Sequence, residues 1–382
     1  MFYIISRLAF VDKKTTKVIV SKSANKVTVV TGASAGLGLA TVRQMYNLKN
    51  ITDSNFVNNG LVVMACRKLE RCNAARDDIM AKDMNKNGGC SSISGNVQTC
   101  DAGDPKKAKL VTLELNLSDS RSIRKFVKDL QPILRNHHKS LNTDKKGRQK
   151  NHAIDVLINN AGVMGVPQEY NEAGVEKHMQ VNHVGHFLLT SLLMPSLMAS
   201  QYGGRVVNVS SLIAYLWSPF PFTDVDDFDF DLTQKGEYLP IAAYKQSKRS
   251  NLLFTHALHQ RFHGVNNFSA VAAHPGYSRT SLVLSGMNFL PKFLKHLLAY
   301  NPCGSMSAES GSLSIFMAAF DSNRVTSDKF VGPIFGAFGV PITIGTSLQP
   351  FPKLEPFSQA SVDALWEYSE RAIGEKFFKK KQ

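Results

Sequence analysis

The sequence predicts an α/β protein with a doubly wound parallel sheet and helices on both faces, formed as a single domain with surface-loop insertions. From residue 26 onward, short continuous apolar runs alternate with longer helical patterns, and such runs are typical of parallel strands buried on both faces. A glycine-rich turn follows the first apolar run and opens the first helical pattern. This order of strand, turn and helix indicates a Rossmann-type sheet.

Six strands and five helices are predicted along the chain. The strands are the apolar runs KVTVVTGAS, GLVVMACRK, LVTLELNLSD, IDVLINNAG, RVVNVSS and FSAVAAHPG. The helices between them are GLGLATVRQMY, LERCNAARDDIMAKDM, SRSIRKFVKDLQPIL, EKHMQVNHVGHFLLTSLLMPSLM and AAYKQSKRSNLLFTHALHQRF. Because strands and helices alternate, we expect neighbouring strands to run parallel.

The size and composition favour one globular unit. The chain has 382 residues, of which 43% are hydrophobic and 20% charged, enough to bury a substantial core. We expect an N-terminal extension over residues 1–25, one domain over residues 26–375 and a basic tail over residues 376–382. Two polar stretches, residues 83–109 and 136–152, show no useful periodicity and are predicted to be surface loops.

The formal net charge is +15, which raises the question of an acidic partner. Most of the excess lies in three basic segments, residues 13–26, 135–150 and 376–381, which we interpret as solvated periphery. These segments lack the interleaved aromatic residues of a single-strand nucleic-acid binder. No nucleic-acid partner is therefore expected.

Cysteine content and hydropathy bear on location. Five cysteines without a C-x-x-C pair indicate a reducing compartment and give no zinc signature. No uninterrupted apolar run is long enough to span a bilayer. Residues 1–25 are basic and nearly free of acids, a weak targeting signal that leaves two alternatives open, a cytoplasmic or an organellar location.

Residues 31–38, TGASAGLG, form the predicted phosphate-binding turn. Glycines permit a tight turn there and let backbone N–H groups approach a pyrophosphate at a helix N-terminus. The spacing is T-G-x-x-x-G-x-G, and the strand–turn–helix context strengthens the prediction. The candidate cofactor-binding residues of this turn are Gly32, Ser34, Gly36, Leu37 and Gly38.

The end of the second strand indicates which dinucleotide is bound. Dinucleotide folds often hold the adenosine ribose with an acidic residue at this place. Here Cys66 takes that place and is followed by Arg67 and Lys68. Two cations without a carboxylate suit a 2′-phosphate, so the sequence favours NADP(H) over NAD(H).

Tyr244 and Lys248, in the stretch YKQSK, are four residues apart on a predicted helix, so their side chains share one face. From the residues alone, two interpretations stay open. The pair is either a solvated surface contact or a phenol whose acidity is tuned by an ammonium group.

The order of six motifs decides between them. The motifs are TGASAGLG, NNAG (159–162), VNHVGHF (181–187), VVNVSS (206–211), YKQSK and HPG (274–276). Over about residues 25–375 the chain resembles the short-chain dehydrogenase/reductase family, and within it the retinol-dehydrogenase-like group. A secondary similarity is to light-dependent protochlorophyllide reductases, although those resemble CNAA where this chain has NNAG.

The resemblance implies a catalytic tetrad and further cofactor contacts. Tyr244 matches the family's catalytic tyrosine, and Lys248 matches its catalytic lysine. Ser211 matches the substrate-orienting serine, with Ser210 as the fallback. Asn182 matches the asparagine that completes the tetrad. The matching cofactor contacts are Asn160, Ala161, Gly162, Pro275, Gly276 and Thr280, and Asn116 stands where the family often has an adenine-binding aspartate. His274, His183 and His186 are expected to be structural, and no metal site is expected.

The chemistry explains these residue types. Carbonyl reduction needs a hydride from the cofactor and a proton for the developing alkoxide. We expect Lys248 and the oxidised nicotinamide to lower the pKa of Tyr244. Ser211 would hold the substrate oxygen, and Asn182 would anchor a water that relays protons to Lys248.

Two segments are expected to shape the substrate pocket. Residues 212–243 are rich in aromatic and acidic residues, and residues 281–302 are apolar with two lysines. The second segment forms a lid, an amphipathic peripheral contact with a membrane, or an ordinary packed helix. We predict an NADP(H)-dependent oxidoreductase for a fairly large apolar carbonyl or alcohol of retinoid, steroid or lipid type, with a homodimer left open. The alternatives are a protochlorophyllide-type double-bond reductase and a non-catalytic dinucleotide-binding scaffold.

Overall fold

The computed structural model describes ten stretches of the chain. They are residues 23–46, 58–81, 89–94, 97–101, 107–140, 152–214, 238–278, 306–334, 341–344 and 357–378. Residues 215–237 of the predicted pocket segment 212–243, the whole of the segment 281–302, residues 1–22 of the predicted extension 1–25 and the end of the basic tail lie outside the described residues.

In the described part of the chain, ten strands form one sheet. Their order is β10-β9-β8-β7-β6-β1-β2-β5-β4-β3. The strands are β1 (Val27–Thr31), β2 (Leu61–Cys66), β3 (Gly89–Ser94), β4 (Val97–Asp101), β5 (Lys109–Glu114), β6 (Val156–Asn159), β7 (Arg205–Val209), β8 (Ser269–Ala273), β9 (Lys329–Pro333) and β10 (Pro341–Ile344). The seven strands from β9 to β5 pair in parallel, and at each end of this parallel region the next strand, β10 beside β9 and β4 beside β5, runs antiparallel. The predicted parallel, Rossmann-type sheet is confirmed.

Helices cover both faces of this sheet. They are α1 (Gly36–Tyr46), α2 (Leu69–Ala81), α3 (Ser120–Ser140), α4 (Lys177–Met179), α5 (Gly185–Leu197), α6 (Pro240–Phe262), α7 (Ala308–Phe320) and α8 (Gln359–Ile373). A π-helical turn, Gln180–Val184, joins α4 to α5, and a 3₁₀ turn, Leu212–Ala214, follows β7.

Alternate residues of the strands pack into two separate hydrophobic cores, one on each face of the sheet. Side chains such as Val29 and Val63 pack with helices α3, α5, α6 and α8 on one face. Their neighbours Val30 and Met64 pack with α1, α2 and α7 on the other. This double burial explains why the central strands are continuously apolar in the sequence.

The structure corrects the prediction of surface loops at two places. Within residues 83–109, β3 and β4 form an antiparallel hairpin that extends the sheet beyond β5. The hairpin was missed because GCSSIS and VQTCD are too polar to stand out as buried strands. Within residues 136–152, helix α3 continues to Ser140, since His137 and His138 are buried on its inner side.

The cysteines also differ from the expectation of reduced thiols in a reducing compartment. The structure joins Cys66 and Cys72 in a disulfide, with their Cα atoms 6.0 Å apart. The two residues meet because the end of β2 packs against the first turns of α2, and both are fully buried. The spacing of six residues gave no recognisable signal in the sequence.

Among the described residues, no helix combines the length and apolar character required to cross a membrane.

Candidate active site

The candidate site lies at the carboxyl ends of the central strands, which is where open parallel sheets bind their ligands. The glycine-rich turn between β1 and α1 forms one side of it. Gly32 has a φ of +67° and Gly36 a φ of +54°, backbone conformations that favour glycine. A Cβ on Gly38 would lie 2.5 Å from the Gly32 carbonyl oxygen. Only glycines at these positions let the turn close at the helix N-terminus, so the turn fits a pyrophosphate. Ser34 and Leu37 lie in this turn and at the start of α1, both partly buried.

Thr31, the last residue of β1, ties this turn to the neighbouring NNAG segment. Its hydroxyl oxygen accepts hydrogen bonds from the backbone N–H groups of Asn160 and Ala161, each at 2.9 Å. The Asn160 amide donates back to the Thr31 carbonyl at 2.8 Å. The predicted cofactor residues of the two segments therefore form one hydrogen-bonded unit.

His186 connects this unit to Asn182. Its Nδ1 lies 3.0 Å from the Asn182 carbonyl oxygen, and its Nε2 lies 2.9 Å from the Thr31 hydroxyl. A carbonyl only accepts, so Nδ1 carries the proton and Nε2 accepts from Thr31. Burial lowers the pKa of His186 to about 4, which keeps this neutral tautomer. The sequence predicted a structural role for His186 and no role for Thr31, although both residues lie within the quoted motifs.

Asn182 lies in the π-helical turn before α5, which aims its side chain at the site. Its amide donates to the Val163 carbonyl at 3.0 Å and to the Ser247 hydroxyl at 2.8 Å. Its oxygen accepts from the Val163 N–H at 2.7 Å. A Cβ on Gly162 would lie 3.1 Å from this oxygen and 3.4 Å from Lys248 Nζ, so Gly162 leaves the room in which Asn182 and Lys248 approach each other.

Helix α6 carries Tyr244 and Lys248, and both side chains are buried. Lys248 Nζ donates to the Val209 carbonyl at 3.0 Å and lies 5.7 Å from the centre of the Tyr244 ring. The solvated-surface interpretation of this pair is therefore wrong.

The two serines after β7 have separate partners. The Ser211 side chain shares a hydrogen bond with Tyr244. The Ser210 hydroxyl instead donates to the Lys248 carbonyl at 2.7 Å and is buried. Of the two predicted candidates, the structure therefore brings Ser211 to the phenol and uses Ser210 to hold α6.

The lowered phenol pKa expected from Lys248 and the oxidised nicotinamide stays a prediction, and the protein's own residues act in the other direction. Burial raises the pKa of Tyr244 to about 12, and the hydrogen bond with Ser211 opposes this only in part. Burial also lowers the pKa of Lys248 to about 8. Desolvation is thus the larger effect at both groups. Tyr244 is therefore a neutral phenol at neutral pH.

The adenosine side of the site begins at the end of β2. Arg67 and Lys68 are exposed there, directly after the buried Cys66. Asn116, after β5, uses its side-chain oxygen to accept the Ser118 N–H at 3.1 Å. That oxygen therefore shapes the turn before α3.

At the other side of the site, the segment after β8 turns at Gly276, whose φ is +67°. The Gly276 N–H donates to His274 Nδ1 at 3.2 Å, so Pro275 and Gly276 are held at the strand end. Burial lowers the pKa of His274 to about 3. Its ring occupies the space that a side chain on Gly332 would need. Thr280 lies outside the described residues.

These features were compared with known proteins. The family model described as short chain dehydrogenase matches residues 97–220. Retinol dehydrogenase 13 of Homo sapiens is 32% identical over 257 residues, 67% of this chain and 60% of that protein. Retinol dehydrogenase 12 of Bos taurus is 32% identical over 306 residues, 80% of this chain and 77% of that protein. The chain thus spans less than two thirds of the human relative and more of the bovine one.

Solved structures agree on the fold. A crystal structure of an uncharacterised protein from Mycobacterium paratuberculosis superposes with a TM-score of 0.59 at 26% identity and covers 93% of this chain and 96% of that one. A short-chain type dehydrogenase/reductase from Mycobacterium marinum superposes with a TM-score of 0.53 at 14% identity, over 83% of this chain and 96% of that one.

The parallel sheet and the glycine turn place the protein in the class of Rossmann-type nucleotide-binding proteins. Within that class, the chain belongs to the short-chain dehydrogenase/reductase family, in its retinol-dehydrogenase-like group.

Proposed function

We propose that the protein is an NADP(H)-dependent oxidoreductase that transfers a hydride between the nicotinamide cofactor and a carbonyl or alcohol. The substrate is a fairly large apolar molecule of retinoid, steroid or lipid type. The observation that carries this proposal is the buried Tyr244 phenol, which is bonded to Ser211 and lies one helical turn from Lys248.

The chain's own residues supply the proton and the positioning. The Ser211 hydroxyl holds the carbonyl oxygen of the substrate beside the phenol. Because the pKa of Tyr244 is about 12, its O–H is present at neutral pH and donates the proton as the alkoxide forms. Lys248 stabilises the phenolate that remains. The nicotinamide cofactor supplies the hydride when it is bound.

Two observations support the choice of cofactor. The glycine turn and the NNAG segment form a single hydrogen-bonded cradle at the N-terminus of α1. At the adenosine side, Arg67 and Lys68 are exposed at the place where NAD-binding folds often have an acidic residue. A 2′-phosphate would meet two cations there and no carboxylate at position 66.

Support for the substrate class comes from the relatives. Several relatives that are similar to this chain over long segments are named retinol dehydrogenases. That name indicates a large apolar alcohol, and we extend it to this chain as a proposal.

The test is a substrate panel with NADPH and NADH, containing a retinaldehyde, a steroid ketone and a long-chain aldehyde. Wild type is compared with Tyr244→Phe, and Tyr202→Phe serves as the control because Tyr202 is 52% exposed. We expect Tyr244→Phe to lower kcat by ~100-fold or more through loss of the proton donor. Ser211→Ala should also lower kcat, and Ser210→Ala should mainly lower stability.

Full activity of Tyr244→Phe on every carbonyl that wild type reduces would refute the mechanism. NADPH binding without turnover of any panel member would favour the scaffold alternative. Light-dependent reduction of a tetrapyrrole double bond would favour the protochlorophyllide alternative.

A further inference from the structure

Three polar residues outside the tetrad form a hydrogen-bonded cluster beside the catalytic tyrosine, and one of them, His178, contacts its ring. Glu176 is the N-cap of α4, and His178 lies within that helix. Tyr238 lies two residues before Pro240, the first residue of α6. Glu176 is 2% exposed and His178 is fully buried. None of the three belongs to a motif singled out in the sequence, and the mechanism above does not use them.

The carboxylate of Glu176 accepts the hydrogen bonds that hold this cluster together. The Tyr238 hydroxyl donates to Glu176 Oε1 at 2.7 Å, and His178 Nδ1 lies 2.7 Å from the same oxygen. The Met179 N–H donates to Oε2 at 3.0 Å. Burial opposes ionisation of Glu176, but the hydrogen bonds from His178 and Tyr238 hold its pKa below the usual range. The cluster therefore contains a stably ionised, fully bonded carboxylate.

These bonds fix the imidazole ring of His178. Since Nδ1 donates to the carboxylate, the ring has one orientation and one defined tautomer at that nitrogen. Its centre lies 6.3 Å from the centre of the Tyr244 ring at an interplanar angle of 67°. This is an edge-to-face contact, an arrangement that aromatic pairs prefer. The ring of the catalytic tyrosine thus rests on a side chain that is itself held rigidly.

The cluster also joins the two elements that carry the tetrad. Glu176 lies six residues before Asn182, and Tyr238 lies six residues before Tyr244. Inside the site, the Asn182 amide donates to Ser247 of α6 at 2.8 Å. The bond from Tyr238 to Glu176 is a second tie between the same two segments, on the other side of Tyr244.

We propose that Glu176, His178 and Tyr238 form a positioning cluster that sets the placement of the Tyr244 phenol during turnover. The cluster does not contact the cofactor turn among the described residues, so its effect falls on the chemical step. The inference rests on the proposed function for its kinetic readout, but the placement of the phenol is measurable without any substrate.

The experiment compares Tyr238→Phe, which removes one hydroxyl, with the matched control Tyr202→Phe on the exposed surface. We expect Tyr238→Phe to lower kcat about ten-fold, since small misplacements of a catalytic group are costly. KM for NADPH should stay within about two-fold of the wild-type value, because the substitution does not weaken the binding of the cofactor itself. His178→Leu, which removes the ring contact, should lower kcat at least as much.

A second measurement reads the phenol directly. In protein labelled with ¹³C at the tyrosine ring, the Tyr244 resonance is assigned by its loss in Tyr244→Phe. It should shift in Tyr238→Phe and stay unchanged in Tyr202→Phe. An unshifted resonance in folded Tyr238→Phe overturns the proposal, as does an unchanged kcat. If wild type reduces no carbonyl at all, the proposed function fails while the resonance still decides the positioning.

Discussion

Gly38→Ala tests whether the glycine turn is built to admit a phosphate. An ideal Cβ at position 38 would lie 2.5 Å from the Gly32 carbonyl oxygen and 2.6 Å from Asn160 Nδ2. Neither neighbour is the free end of a flexible chain, because Asn160 is bonded to Thr31. To restore ordinary contact distances, the turn must open by about 0.5–1 Å.

The expected magnitudes follow from that displacement. Alanine gains up to about 1 kcal/mol over glycine inside a helix, whereas overpacking costs about 1–3 kcal/mol. The net loss of unfolding free energy is therefore about 0–3 kcal/mol. Opening the turn should also remove one charge-assisted hydrogen bond to phosphate, worth about 1.5–3 kcal/mol. NADPH affinity should fall about 10- to 100-fold.

The assay is a fluorescence titration with NADPH, combined with thermal unfolding in the absence and presence of the cofactor. Gly174→Ala is the control, because Gly174 has a φ of +72° with nothing within 4 Å of its added Cβ. It should lower stability through backbone strain and leave NADPH affinity unchanged. A folded Gly38→Ala protein that binds NADPH as tightly as wild type would refute the steric argument.

Three further predictions concern the cofactor, the phenol and the core. Arg67→Ala should weaken NADPH binding about ten-fold and NADH binding much less, because the guanidinium is proposed to pair with the 2′-phosphate, and paired titrations measure the difference. Alcohol oxidation should rise with pH between 6 and 8, because burial raises the pKa of Tyr244 and the phenolate that accepts the proton is the minor form; initial rates across this pH range test this. Phe377→Ala should lower the unfolding free energy by about 3–5 kcal/mol, since this buried ring lies 4.7 Å from Trp366 and 4.9 Å from Phe187 between ring centres; chemical denaturation measures the loss.

Each of these has an outcome that contradicts it. Equal weakening of NADPH and NADH by Arg67→Ala removes the basis for the choice of cofactor. Oxidation that is independent of pH places the proton transfer on a group other than Tyr244. Phe378→Ala, at a partly exposed neighbouring position, is the control for the core prediction, and an equal loss in both variants contradicts it.

The strands and the tetrad elements were predictable because each has a strong local signal. The central strands are buried on both faces and therefore continuously apolar, and the glycine turn has an unusual composition. The hairpin β3–β4 escaped because edge strands do not need an apolar sequence. Strands β9 and β10 also went unpredicted, since KFVGP and PITI contain proline or glycine and are short.

The site was predictable in its parts and less so in its contacts. Tyr244, Lys248, Asn182 and Ser211 could be placed by motif order, but no pattern shows that Ser210 bonds to the Lys248 carbonyl. The sign of the Tyr244 pKa shift depends on burial, which a sequence gives only indirectly. The Glu176 cluster was missed because Tyr238 lies 62 residues after Glu176 in the chain and each member is ordinary by itself.

The hydrogen bonds of Thr31 couple positions 31 and 186, so that substitutions at one position depend on the residue at the other. The Thr31 hydroxyl accepts hydrogen bonds from two backbone N–H groups of the cofactor segment and donates one to the neutral imidazole of His186. That imidazole in turn donates to the Asn182 carbonyl. Loss of the Thr31 hydroxyl leaves the buried Nε2 of His186 without its partner, whereas Thr31 retains a second acceptor, the Ile158 carbonyl at 3.3 Å. The effects of substitutions at the two positions will therefore not add. Attempts to alter cofactor binding by substitution in this region should therefore vary both positions together, because epistasis between them will hide beneficial combinations from any scan of single substitutions.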